Sequence, residues 1–218
     1  MRVEAVILDL DGVVVTTDEF HYQAWQRLAG EEGVSFDRKI NNRLRGVSCM
    51  ESLTILLEKA KRKYSDKEKK EMAARKNRYY VDLLDEKLKP DGVLPGAMDF
   101  MEELKAHGIK VAIGSSSKNG MMILQKVGMD AYFDAVVDGN DITKSKPDPE
   151  VFLIAAKRLD IEPWDCLVIE DTEAGVAAGI AAGMKVFAVG AAADDERADV
   201  SAPSLEHISA DEIIAALT

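Results

Sequence analysis

Four groups of residues in this sequence have types and spacings that could do chemistry, and each follows a short apolar run. Asp9 and Asp11 close the run at 3–8. Ser115, Ser116 and Ser117, then Lys118 and Asn119, follow the run at 110–114. Lys144 and Lys146 follow 134–138, and Glu170 and Asp171 follow 166–169. Singly, each is a weak signal. Serines after a strand commonly cap helices, and Asp148-Pro149 reads as a cap with proline at the first helical position. Together they describe a hard-cation site with donors for phosphoryl oxygens beside it. Oxygen ligands suit Mg²⁺, which takes a few carboxylates and fills its remaining positions with phosphate and water.

The elements that must position these groups follow from periodicity. The Val- and Ile-rich runs at 3–8, 110–114, 134–138, 166–169 and 185–189 have the length of buried strands. Helical patterns lie between them, over 97–107, 119–128, 149–160 and 173–183. Such alternation predicts an α/β fold, a doubly wound, Rossmann-like parallel sheet flanked by helices. Sheets of that kind bind ligands at the carboxyl ends of their strands, where the polar groups fall.

Residues 18–88 break the alternation. Leu53, Leu56, Leu57 and Ala60 follow helical spacing, as do Met72, Tyr80, Leu83 and Leu84, with charged residues on the other faces. The expected organisation is an α/β core domain from 1–15 and 92–218, with a helical domain at 16–91 inserted after the first strand. The return linker at 89–96, "KPDGVLPG", is rich in breakers. With the outgoing linker at 13–17 beside it, a hinge is expected there.

Composition narrows the function classes. The chain has 218 residues, 47% of them apolar and 31% charged, as in an ordinary globular protein. Its net charge of −11 argues against nucleic acid as a partner. The charge is uneven: residues 14–90 carry +4 and the remainder −15. A basic lobe of this kind fits either a solvated helical face or the attraction of a small anion toward an acidic, cation-binding lobe. Cys49 and Cys166 make no disulfide framework, which favours a reducing compartment. No apolar run reaches the length of a membrane span, about 18 residues. The N-terminus "MRVEAVILDLD" lacks the pattern of a signal peptide. The expected protein is cytoplasmic and monomeric, binding neither membrane nor nucleic acid.

The four strand-end groups, taken with their spacing, resemble the signatures of the haloacid dehalogenase-like phosphotransferases. These are Asp9-Leu10-Asp11-Gly12-Val13-Val14, Ser115, Lys146-Pro147, and Glu170-Asp171 followed by Gly175. The resemblance covers essentially the whole chain, and the helical insertion looks like the family's small cap domain. Within the family the chain is most similar to the β-phosphoglucomutases. The residues carrying this are Thr17, His21 and Trp25; "LRGVS" at 44–48; "ARKN" at 74–77; and "SSSKNG" at 115–120.

The resemblance implies roles. Asp9 would be the nucleophile that becomes an aspartyl-phosphate. Asp9, Glu170 and Asp171, with the backbone carbonyl of Asp11, would hold Mg²⁺. The Asp11 side chain would exchange a proton with the sugar hydroxyl. Lys146 and Ser115 would hold the transferring phosphoryl oxygens. The implied substrate contacts are Thr17, His21, Trp25, Gly46, Val47, Ser48, Ser52 and Lys76 from the cap, and Ser116, Ser117, Lys118 and Asn119 from the core. Read without the resemblance, Lys76 fits a snorkelling lysine, His21 an interfacial histidine and Trp25 a core residue.

Ser48-Cys49-Met50-Glu51 also reads as a capping box, placing Gly46, Val47 and Ser48 before a helix N-terminus with free N–H groups. Here the chain departs from the family. Cys49 stands where β-phosphoglucomutases typically carry an arginine that clamps the second, non-transferring phosphate. Arg43 and Arg45 are candidates to compensate. Thr16 stands where many relatives have aspartate.

The expected activity is interconversion of β-glucose 1-phosphate and β-glucose 6-phosphate through a bisphosphate and phospho-Asp9. The alternatives are a sugar-phosphate phosphatase using the same aspartates and, third, a non-catalytic phosphosugar-binding protein.

Overall fold

A computed structural model describes residues 3–217. Strand β1 (Ala5–Leu8) comes first. Helices α1 (Asp18–Glu32), α2 (Arg38–Asn42), α3 (Cys49–Leu56) and α4 (Asp66–Lys87) follow. The remaining elements are α5 (Ala97–Ala106), β2 (Lys110–Gly114), α6 (Gly120–Val127), β3 (Ala135–Val137), α7 (Glu150–Leu159), β4 (Cys166–Glu170), α8 (Glu173–Ala181), β5 (Lys185–Val189), β6 (Val200–Ala202) and α9 (Ala210–Leu217). Residues 17–88 form one compact unit, and the chain on either side of them forms another.

The larger unit is a parallel sheet in the order β3-β2-β1-β4-β5-β6. All four residues of β1 and all five of β4 are buried, which a sheet covered on both faces requires. Ile7, Ala112, Val168 and Val186 pack with Phe152 of α7 and Val176 of α8 in one core. Leu8 stands opposite Ile113 on one side and Ile169 on the other. The next residue in each chain therefore lies at the same edge of the sheet. Those residues are Asp9, Gly114 and Glu170.

The smaller unit has its own core. Trp25 and Leu28 of α1, Leu53 and Leu56 of α3, and Met72 of α4 pack together. Helix α4 buries one stripe, Met72, Lys76, Tyr80 and Leu84, four residues apart each time. A reciprocal capping box starts it. Ser65 Oγ accepts from Glu68 N, while the Glu68 carboxylate accepts from Ser65 N at 2.8 Å.

Some expectations are corrected. Leu57 begins a short 3₁₀ turn and Ala60 is extended, so the helical spacing ends at Leu56. Strand β6 and helix α9 had no counterpart in the sequence reading. At β6, three residues with an exposed serine at the centre offer too little periodicity to find.

Candidate active site

Each acidic or basic group of the larger unit is held by a specific local device. Asp9 continues β1, and its N–H donates to Ile169 O at 2.9 Å. The chain then turns sharply: Val14 and Val15 N–H both return to Leu10 O, and Gly12 N–H reaches Val15 O at 2.7 Å. Gly12 adopts φ +95° there, and a Cβ on it would collide with the Asp171 carboxylate. Glycine is thus required twice, for the turn and for the room.

Lys146 lies at the centre. Its Nζ donates to Asp9 Oδ1 at 2.5 Å and to Glu170 Oε1 at 2.5 Å. The lysine is 1% exposed. Burial alone pushes its pKa down, but the two carboxylates outweigh that and hold it above its usual value. Glu170 is fully buried, and its pKa is raised, first by desolvation and also by Asp9, with Lys146 opposing. Two carboxylates around one ammonium leave excess negative charge, and Asp171 adds to it. One acidic oxygen from each of Asp9, Glu170 and Asp171 falls within 4.8 Å of the others. Three buried oxygen donors converging with a charge deficit fit a hard divalent cation. The Asp11 side chain is half-buried and outside that trio.

Glu170 is fixed by more than Lys146. Its Oε2 accepts from Asp171 N at 2.9 Å, Thr172 N at 3.0 Å and Thr172 Oγ1 at 3.0 Å. Thr172 also caps α8 through Gly175 N. A Cβ on Gly175 would collide with the Glu170 carboxylate. The sequence reading passed over Thr172; its only signal was a threonine one residue before a helical pattern.

Ser115 is buried at the end of β2, with its N–H on Val137 O at 3.0 Å. Its Oγ accepts from Ser117 N at 3.1 Å, and Ser117 Oγ accepts from Asn119 N at 3.2 Å. These nested turns curl residues 115–119 at the same sheet edge as Asp9. Among the described residues the buried Ser116 hydroxyl has no hydrogen-bond partner, as a group awaiting a polar ligand would not. Lys118 is exposed.

The cap-type residues gather in part. His21 Nδ1 and Lys76 Nζ are 2.7 Å apart. His21 stacks on Tyr80 with ring centroids 3.9 Å apart, and Thr17 Oγ1 meets the Tyr80 hydroxyl at 2.8 Å. Desolvation first, and Lys76 second, hold the His21 pKa well below its usual 6.5, so the ring is neutral and Nδ1 accepts. Lys76 Nζ lies over the rings of Trp25 at 4.9 Å and Tyr80 at 4.7 Å. Tyr80, seen in the sequence only as a core position, is the hub of this cluster.

Trp25, at 3% exposure, packs in the core of its unit. Ser52 is likewise buried, its hydroxyl donating to Leu44 O at 3.3 Å. Gly46, Val47 and Ser48 are half-exposed ahead of α3, and Ser48 Oγ accepts from Glu51 N at 3.2 Å. Cys49 is exposed at the start of that helix. Both arginines near it are engaged: Arg45 pairs with Asp18 at 2.8 Å, and Arg43 makes a two-pronged bridge to Glu58.

A family model for haloacid dehalogenase-like hydrolases matches residues 3–183. The chain is 46% identical over 189 residues to the β-phosphoglucomutase of Bacillus subtilis, covering 86% of this chain and 82% of that one. The chain belongs to the β-phosphoglucomutase family of haloacid dehalogenase-like enzymes. A solved β-phosphoglucomutase from Clostridium difficile superposes with a TM-score of 0.92 at 38% identity, covering 98% of this chain and 96% of that one. Similarity within the wider group extends to hydrolases. A phosphorylated carbohydrates phosphatase of Thermotoga maritima is 31% identical over 215 residues, 97% of this chain and 96% of that one. Among the described residues no helix is long and apolar enough to cross a membrane.

Proposed function

We propose that this chain is a Mg²⁺-dependent β-phosphoglucomutase that interconverts β-glucose 1-phosphate and β-glucose 6-phosphate through a glucose 1,6-bisphosphate. The observation that carries the reading is Lys146 bracketed by Asp9 and Glu170, with Asp171 against Gly12. Similarity to two β-phosphoglucomutases adds the substrate class.

An Asp9 carboxylate oxygen attacks phosphorus. The bond from phosphorus to the sugar oxygen breaks, and the phosphoryl group stays on Asp9. The Asp11 side chain gives a proton to the departing sugar oxygen and removes one from the hydroxyl that attacks in the reverse direction. Lys146 already sits on Asp9 Oδ1, so its charge meets the negative charge that builds on the phosphoryl oxygens. Ser115 donates to the same oxygens, and Ser116 and Ser117 are proposed as substrate contacts beside it. Asp9, Glu170 and Asp171, with the Asp11 carbonyl, would hold Mg²⁺, which when bound offsets charge on the phosphoryl group. His21 and Lys76 are the proposed cap contacts, with Thr17 and Tyr80 fixing His21. Gly46, Val47 and Ser48 are proposed for a sugar hydroxyl or phosphate, and Lys118 with Asn119 for the second phosphate. The residue 17–88 unit acts as the cap, excluding water from phospho-Asp9. The enzyme is proposed to work as a cytoplasmic monomer.

Cys49 favours a second reading, a sugar-phosphate phosphatase, because a thiol cannot clamp a second phosphate as a guanidinium does. One assay separates them. The protein is incubated with Mg²⁺, β-glucose 1-phosphate and a trace of bisphosphate, and glucose 6-phosphate and free phosphate are followed together. Glucose 6-phosphate in excess over released phosphate is expected. Phosphate released without glucose 6-phosphate would overturn the mutase reading.

A further inference from the structure

The turn at 138–141 lies directly behind the loop that runs from Ser115 to Asn119. Gly139 N–H donates to Ser117 O at 2.9 Å. Asn140 Nδ2 donates to Lys118 O at 2.9 Å and to Asp138 Oδ1 at 3.0 Å. Asp138 Oδ1 also accepts from Asn140 N at 2.9 Å, so the asparagine is held at its backbone and at its amide. Two consecutive carbonyls of the serine–lysine loop are thereby tied to this turn.

The fit is at contact distance. A Cβ on Gly139 would stand 2.5 Å from Ser116 O and 2.9 Å from Lys118 N. One on Gly120 would stand 2.9 Å from Asp138 Cβ. The turn is braced from its far side as well. Asp141 Oδ2 accepts from Asp138 N at 3.0 Å, and Arg158 clamps Asp141 at 2.5 and 3.2 Å while also donating to Val136 O. Ser115 does not depend on this brace, because its own N–H is bonded to Val137 O in the sheet register.

We infer that Asn140 is a positioning residue for the Lys118–Asn119 segment, with Gly139 the steric condition for it, and that together they set affinity for the phosphate that is not transferred. The inference rests on the mutase reading, in which a bisphosphate is gripped at both ends. Phosphoryl transfer at Asp9 uses the other phosphate, so the two properties separate.

The test compares Asn140→Ala, Asn140→Asp and Gly139→Ala with their parents. Affinity for glucose 1,6-bisphosphate is measured by calorimetry with Mg²⁺ in an Asp9→Asn background, which prevents turnover. The rate of Asp9 phosphorylation by acetyl phosphate, a donor with one phosphate, is measured with Asp9 intact. Loss of one neutral hydrogen bond predicts bisphosphate binding about three- to tenfold weaker in Asn140→Ala. Asn140→Asp, which cannot donate to Lys118 O, is expected to lose at least as much. Gly139→Ala is expected to weaken it as well, and phosphorylation by acetyl phosphate to stay within about twofold of the parent in Asn140→Ala. Unchanged bisphosphate affinity, or an equal loss in both assays, would overturn the inference while leaving the mutase reading in place. Absence of bisphosphate binding in the Asp9→Asn parent would overturn both.

Discussion

Lys146 is a buried ammonium whose charge is answered on two sides, by Asp9 and Glu170. Lys146→Met would remove the cation and leave two desolvated carboxylates facing each other. Breaking a buried pair from one side costs about 3–5 kcal/mol. The variant should melt well below the parent by calorimetry and should show no phosphoenzyme; a parental melting temperature would contradict this account. His21 makes a separate prediction. Its pKa is depressed in the folded state, so the neutral ring contributes stability above about 6.5. That stability is lost as pH falls below 6.5 toward the folded value. The imidazole should therefore show no NMR titration between pH 8 and 6, unlike a histidine in an unfolded chain. Cys49→Arg is expected to tighten bisphosphate binding by calorimetry, on the order of tenfold for one charged hydrogen bond, and unchanged affinity would mean that other groups already fill that role.

At the scale of elements, helix α4 depends on its first turn. Ser65 N–H first, Arg62 next, and the Ser65 hydroxyl third hold the Glu68 pKa down to about 2. Because the folded value lies below the unfolded one, the contribution is present above about 4.5 and is lost as pH falls toward 2. Ser65→Ala should cost about 1 kcal/mol of stability at pH 7 by denaturant titration. Below pH 2 the Glu68 part of that difference should vanish. The strands that carry Asp9, Ser115 and Glu170 were legible because a sheet buried on both faces writes itself as unbroken apolar runs. The acidic and hydroxyl groups at their ends stood out against that background. Thr172, Tyr80 and Asn140 did not. Each works by a hydrogen bond whose geometry depends on the folded chain: a strand-to-helix turn, a helix pair, and two loops 22 residues apart. Trp25 shows the opposite limit, since an indole at helical spacing reads alike as core or as ligand platform until its neighbours are known.

For the molecule as a whole, the charge of −11 and the buried trio Asp9, Glu170 and Asp171 point the same way. A cation that binds the folded chain and not the unfolded one stabilises it by about 2.7 kcal/mol at 100 times its dissociation constant. Mg²⁺ at millimolar concentration should raise the melting temperature, and Asp171→Asn should abolish most of the increase. A shift of equal size in both proteins would place the cation elsewhere. The split into an α/β unit and a helical unit was foreseeable from the interrupted alternation, because residues 18–88 lack any run of strand length. The charge imbalance between the two parts was visible too, although its sign alone could not tell a solvated face from a substrate-steering one.

The linkers by which the chain leaves the larger unit after β1 and re-enters it before α5 are joined by backbone contacts. Thr16 N–H meets Gly92 O at 3.1 Å, Leu94 N–H meets Val14 O at 2.9 Å, and Val15 bridges Val93 in antiparallel fashion. The two ends of the inserted segment are therefore already at turn distance within the larger unit. In evolutionary terms the segment is a cassette. An insertion whose ends already meet can change in length without disturbing the register of the strands that hold Asp9 and Ser115.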